Sequence, residues 1–141
     1  MNVRLPLLRA AAFPATVLLG HLVLRARIGP AVNWAPLNVA THMLGGLAVA
    51  HLVGVALGPV LDTLRGRTRA LVRAVGIVTL TTTVAVLWEF AECVMARIHG
   101  VLGPSAGGDT LRDIAAGMAG AAAYAAISRL ARAGGAQAQA A

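Results

Sequence analysis

Four long runs of mostly apolar residues divide this chain, and their lengths constrain it more than anything else in the sequence. They extend from Leu5 to Leu24, Val39 to Leu61, Ala74 to Ala96 and Thr110 to Ser128. A helix needs about 20 residues to cross the ~30 Å hydrocarbon core of a bilayer, and each run is close to that length. The expected fold is all-α, an integral membrane bundle of four transmembrane helices at about 5–24, 39–61, 74–96 and 110–128. These helices form one domain over residues 1–132, followed by a flexible low-complexity tail at 133–141. Composition agrees. Only 12% of the residues are charged and 58% are hydrophobic, whereas about a quarter of a soluble domain is charged. Mean hydropathy is +0.77.

The connections read as turns and polar stretches. Gly29-Pro30 makes a turn, and Trp34 suits the membrane interface. Pro59 falls in the last turn of the second run, where a small distortion is tolerable. The Arg-rich segment from Arg65 to Arg69 reads as a polar connection, and Gly100 to Gly108 as a loop rich in helix breakers. Arg9 and Pro14 interrupt the first run and no small-residue cleavage site closes it, so an uncleaved first helix is expected rather than a signal peptide. Alanine dominates the last run, which points to packing against other helices through small side chains. Cys93 has no partner for a disulfide and is expected to be an inert buried thiol.

All basic side chains are arginines and the net charge is +7. They cluster between apolar runs without a nucleic-acid-binding motif, so they read as topology determinants facing anionic lipid. Nucleic acid is not an expected partner. With both termini cytoplasmic, the inner side carries Arg4, Arg9, Arg65, Arg67, Arg69, Arg73, Arg129 and Arg132. The outer side carries Arg25, Arg27, Arg97 and Arg112. The positive-inside rule favours that orientation.

Alternating helix direction converts sequence position into depth. His21 near the end of the first run, Asn38 and His42 near the start of the second, Glu89 and Glu92 near the end of the third, and Asp109 and Asp113 at the start of the fourth share one level. Of the five acidic residues, only Asp62 lies elsewhere. At about 100° per residue, Asn38, His42, Gly45 and Val49 share a face, and Asp113 continues through Gly117, Gly120 and Tyr124. Glu89 and Glu92 are about 60° apart and can face one cavity. His51 lies nearly opposite His42 and deeper, as a packing or hydrogen-bonding histidine. Trp88 reads as an interfacial anchor, His99 as solvent-facing, and Asp109 as a helix N-cap.

A carboxylate in apolar surroundings must be protonated, paired or bound to a cation. Three readings fit. A structural network could join the helices, with Arg112 or Arg97 as partners. His42, Glu89, Glu92, Asp109 and Asp113 could hold a divalent metal, the mixed oxygen and imidazole set suiting Mn, Fe or Zn. The same groups could carry ions or protons.

Three segments resemble blocks of the YjdF-type bacterial inner-membrane proteins: THMLGG at Thr41 to Gly46, WEFAE at Trp88 to Glu92, and GDTLRDIAAGMAGA at Gly108 to Ala121. The match is best at His42, Glu89, Glu92, Asp109, Thr110 and Asp113. This chain has Asn38 where an acidic residue is expected before the histidine, and it lacks the aromatic residues that usually follow the second glutamate. VanZ-like membrane proteins are a looser resemblance. The resemblance implies a multi-pass protein of the bacterial inner membrane and assigns no reaction. The leading functional class is a structural or accessory protein working with itself, as a homo-oligomer, or with a larger membrane partner. The alternatives are a metal-dependent membrane enzyme acting on a lipid or lipid-linked substrate, with Glu89 and Glu92 as candidate catalytic residues, and ion or proton transfer.

Overall fold

The computed structural model describes residues 4–28, 35–98 and 106–138, except for the side chains of residues 25, 26, 28, 96, 106–108 and 133–138. The turn at Gly29-Pro30, Trp34, His99, most of the Gly100–Gly108 loop and residues 139–141 lie outside the described residues. The described chain is all helical: α1 (Arg4–Ile28), α2 (Ala35–Ala56), the single turn α3 (Gly58–Leu61), α4 (Gly66–Ile98) and α5 (Ala106–Ala138). Four of these helices are long and apolar enough to cross a membrane, over Arg4–Leu24, Ala35–Ala56, Gly66–Met95 and Asp109–Arg132.

Their outer surfaces suit an apolar medium. In the most apolar window of each helix no more than 22% of the residues are buried within the protein. Leu8, Leu19, Leu71, Leu87, Phe90 and Leu130 are all more than 60% exposed. A soluble monomer does not carry apolar surface on this scale.

Three boundaries depart from the sequence expectation. The second run is two helices rather than one. Proline has no N–H and its ring clashes with the carbonyl four residues back, so α2 stops at Ala56 and Pro59 opens α3. The arginine-rich connection is largely helix, because arginine is a good helix former and α4 begins at Gly66. That glycine has φ +58°, which a residue with a Cβ adopts only at a cost. The Asp62–Arg69 ion pair, 2.6 Å, spans this corner in an exposed position. The last helix starts at Ala106 and continues through Ala138, so residues 133–138 extend α5 where a flexible tail was expected. Pro14 does not interrupt α1. Cys93 is exposed on the outside of α4 and not buried.

Within the bundle α2 is central, packing against α5, α1 and α4, while α4 also packs against α5. Small residues make this possible. A Cβ at Gly46 would run into the backbone of Gly117, and one at Gly120 would run into the carbonyl of Met43 and the amide of Leu47. Ala48, Ala50 and Ala121 are fully buried, and Ala50, Ile77 and Ala121 form the core that Val53, Leu57 and Tyr124 cover. Close backbone approach replaces the bulky interdigitation of a soluble core.

Substituting alanine at Gly46 or Gly120 should therefore separate α2 from α5, with a loss of about 1–3 kcal/mol or more from overpacking. Gly20→Ala, where nothing lies within 4 Å of the added Cβ, should instead stabilise by about 0.5–1 kcal/mol. Thermal unfolding of the three variants in one detergent checks the order. Equal midpoints would show that the glycine contacts do not set the α2–α5 distance.

Candidate metal centre

The site lies where α1, α2, α4 and α5 bring their polar residues to one end of the bundle. α2 supplies Asn38, Thr41 and His42 from its first turns. α4 supplies Glu89 and Glu92 from near its end. α5 supplies Asp113 one turn below Asp109, and α1 supplies His21.

His42, Glu89 and Glu92 each offer a ligand atom, and these atoms lie within 4.8 Å of one another. The side chains of His42, Glu89 and Asp113 are 8%, 6% and 4% exposed, and that of Glu92 is 25% exposed. Nδ1 of His42 is 3.4 Å from Oε1 of Glu89, and its Nε2 is 3.7 Å from Oδ2 of Asp113. Nε2 of His42, Oε1 of Glu89 and Oδ1 of Asp113 are all buried without a hydrogen-bond partner. Charged or chargeable groups therefore approach closely without closing hydrogen bonds on one another. Burial of this kind is costly unless a further group satisfies the atoms.

Hydrogen bonds surround the gap. Asn38 Nδ2 donates to Oδ2 of Asp113 at 2.5 Å. The hydroxyl of Thr41 donates to the carbonyl of Asn38 at 2.8 Å and lies 3.2 Å from Nδ1 of His21. Nε2 of His21 is 3.8 Å from Oε1 of Glu92, and the ring of Trp88 lies edge-on to His21 with centroids 6.4 Å apart. Thr110 bonds to the Glu89 carboxylate from α5.

Not every expected ligand joins the set. Asp109 is exposed and pairs with Arg112 at 2.9 Å. It occupies the first turn of α5 rather than its N-cap, because the helix already starts at Ala106. Asp113 touches the set through His42, and Arg112 Nε approaches its Oδ1 at 3.6 Å. His51 lies apart, its ring edge-on to those of Phe13 and Tyr124. Trp88, expected at the interface as an anchor, flanks the site. Sequence reasoning placed His21 at the right depth but left it out of the ligand set, and it missed Thr41 altogether. The signal for Thr41 was its spacing of three from Asn38, which puts both on one face of α2.

A cavity of about 210 Å³ adjoins the cluster, with His42, His21 and Thr41 in its wall. Comparison with protein-family models, curated proteins and solved structures gives no match to this chain.

Asn38→Ala would leave Oδ2 of Asp113 without its hydrogen bond in a buried position. It should cost about 1–3 kcal/mol, read as a lowered unfolding midpoint in detergent. Asn38→Asp should cost more in metal-free protein, because two carboxylates would then face each other. An unchanged midpoint in both would show that the bond contributes nothing.

Proposed function

We propose that this chain is a metal-dependent membrane enzyme whose centre is formed by His42, Glu89 and Glu92. One observation carries the reading. Three ligand atoms from two helices converge within 4.8 Å, while Oε1 of Glu89 stays buried without a hydrogen-bond partner. A cation satisfies such atoms together, and carboxylate with imidazole suits Mn, Fe or Zn. Three protein ligands leave positions open, the pattern of catalytic rather than structural sites. A metal held there would polarise a bound water or substrate oxygen.

The protein groups then take distinct roles. With Nδ1 of His42 toward Glu89, its Nε2 faces Asp113, so Asp113 orients the imidazole as a carboxylate behind a metal-bound histidine does. Asn38 holds Asp113 in turn. Glu89, the most buried of the three ligands, anchors the ion. Glu92, partly exposed and facing His21, would lend one oxygen to the ion and keep the other to take a proton from water held there.

The three segments resembling the YjdF-type family each contribute to the cluster, in support of membership of that family. The arginine distribution supports both termini cytoplasmic with the centre toward the outer leaflet, and the resemblance supports a bacterial inner-membrane location.

A second reading has its own observation. The Asn38–Asp113 and His21–Thr41 contacts tie α2 to α5 and α1 to α2, as a purely structural network would in an accessory protein. Elemental analysis of protein purified in detergent separates the two. The metal reading predicts about one divalent ion per chain, lost in His42→Ala and Glu89→Gln, with affinity weakened about 10–100-fold in Asp113→Asn. Metal-free wild-type protein, with an unfolding midpoint unmoved by added Mn, Fe(II) or Zn, would leave the structural network as the better account.

A further inference from the structure

The cavity beside the cluster has a shape that the metal reading alone does not use. Helix α1 packs against α2, and α4 packs against α2 and α5, but the described backbones of α1 and α4 do not meet. Side chains bridge these two helices at the level of His21, where Glu92 and Trp88 lie. Deeper in the bundle the space between them is the cavity, with α2 and Gly117 as its floor.

Its two ends differ in chemistry. His21, Thr41, His42 and Trp88 line the end at the cluster, and Pro14, Val49 and Thr81 line the other. Thr81 lies eight residues before Glu89, about 12 Å deeper along α4. Leu18 and Val84 line the cavity and are 41% and 43% exposed. Both belong to segments apolar enough to span a bilayer, and the cavity is only half enclosed, so it opens between the unjoined backbones of α1 and α4 at that depth. Thr81 at this end is fully buried, and its hydroxyl has no hydrogen-bond partner. The floor is smooth, because nothing lies within 4 Å of a Cβ added at Gly45.

The geometry points to a lipid-binding cleft: the gap between α1 and α4 takes one hydrocarbon chain of a membrane lipid, with the lipid's polar head region against the His42–Glu89–Glu92 cluster. Three facts select this occupant. The mouth opens within the membrane span, where hydrocarbon chains are the surrounding medium. The wall beyond the cluster is almost wholly apolar, and a dry apolar cavity of about 150 Å³ already holds a benzene ring. Polar groups stand at the end toward the membrane surface, as the head of an amphiphile requires. A lipid thus becomes the substrate class of the proposed centre, and this assignment rests on the metal reading.

Depth-resolved photo-crosslinking tests it. The full chain is reconstituted in phosphatidylethanolamine/phosphatidylglycerol vesicles containing phospholipids with a diazirine either beside the acyl carbonyl or at the chain end. Crosslinked peptides are then mapped by mass spectrometry. The carbonyl-proximal probe should mark His21 and Trp88, and the chain-end probe Pro14 and Val49. Gly45→Leu, which fills the cavity from its floor, should reduce both sets at least about tenfold. Labelling of Leu19 and Leu87 on the outer surface should stay unchanged, and so should labelling in Gly20→Leu. Val84→Trp provides an independent block at the mouth, should the floor variant not fold.

Equal labelling inside and outside the cleft, or a pattern unaffected by both blocking variants, would overturn the assignment. So would reversed depths for the two probes. The same labelling in Glu89→Gln protein separates the two readings. A cleft that is marked in depth order while the wild type holds no metal refutes the centre and keeps the lipid site. Metal bound at one per chain with an unlabelled cleft refutes the lipid and keeps the centre.

Discussion

The contact between α2 and α5 is the constraint from which the other distances follow. Glycines at 46, 117 and 120 leave the two backbones with no side chain between them. In a bilayer this matters more than in water, because lipid tails are as apolar as the helix surfaces and association relies on close packing. His42 lies one turn before Gly46 and Asp113 one turn before Gly117. The crossing that joins the two glycines therefore brings the imidazole and the carboxylate together just above it. Any displacement of α5 would widen the 3.7 Å approach of His42 to Asp113 and pull Asp113 from the 2.5 Å bond with Asn38. Packing and site share one geometric cause.

The polar level is expensive for a bundle of this kind, and its distribution shows where the cost is met. Asp62 and Asp109 keep their charges exposed and take arginine partners at 2.6 and 2.9 Å. Such surface pairs contribute little and demand little. Asp113 and Glu89 are buried, and each has an oxygen that no hydrogen bond reaches. A network evolved only to join helices gains most when every member is satisfied, since a partly satisfied one is worse than apolar packing. The incomplete set at His42, Glu89 and Asp113 is therefore the feature that a structural role explains least well.

Helix number and the common depth of the polar residues were readable because both depend on length and alternation alone. A run of about 20 apolar residues has one way to satisfy its backbone in lipid, and a rise of 1.5 Å per residue fixes depth. The stripe from Asp113 through Gly117 and Gly120 was readable for the same reason, as simple angular arithmetic, and the glycines do meet α2. Helix ends were less legible. Arginine favours helix while it ends an apolar run, so α4 and α5 run to 33 residues each, beyond their hydrophobic segments. Asp109 and Asp113 looked alike because they differ by only about 40° in angle and one turn in height, yet one is exposed and the other buried. The space between α1 and α4 left no trace in the pattern. In a membrane helix every face is apolar, so hydrophobic periodicity no longer says which face meets a neighbour.

That missing contact gives the bundle its asymmetry. α2, α4 and α5 form a close-packed unit through alanine and glycine, whereas the described backbone of α1 meets that of α2 alone. Had α1 closed onto α4 along its length, His42 and Glu89 would be sealed on all sides, and the two helices would have gained the dispersion contacts that the cavity forgoes. Among the described residues, His21 spans the gap at its polar end, reaching Glu92 and Trp88. Leu18 and Val84 line the gap and stay part-exposed. A purely structural bundle has no reason to leave this seam open. The lipid cleft that we propose would use it, because a lateral opening beside the buried cluster would admit a hydrocarbon chain while the surrounding helices keep the polar atoms out of lipid.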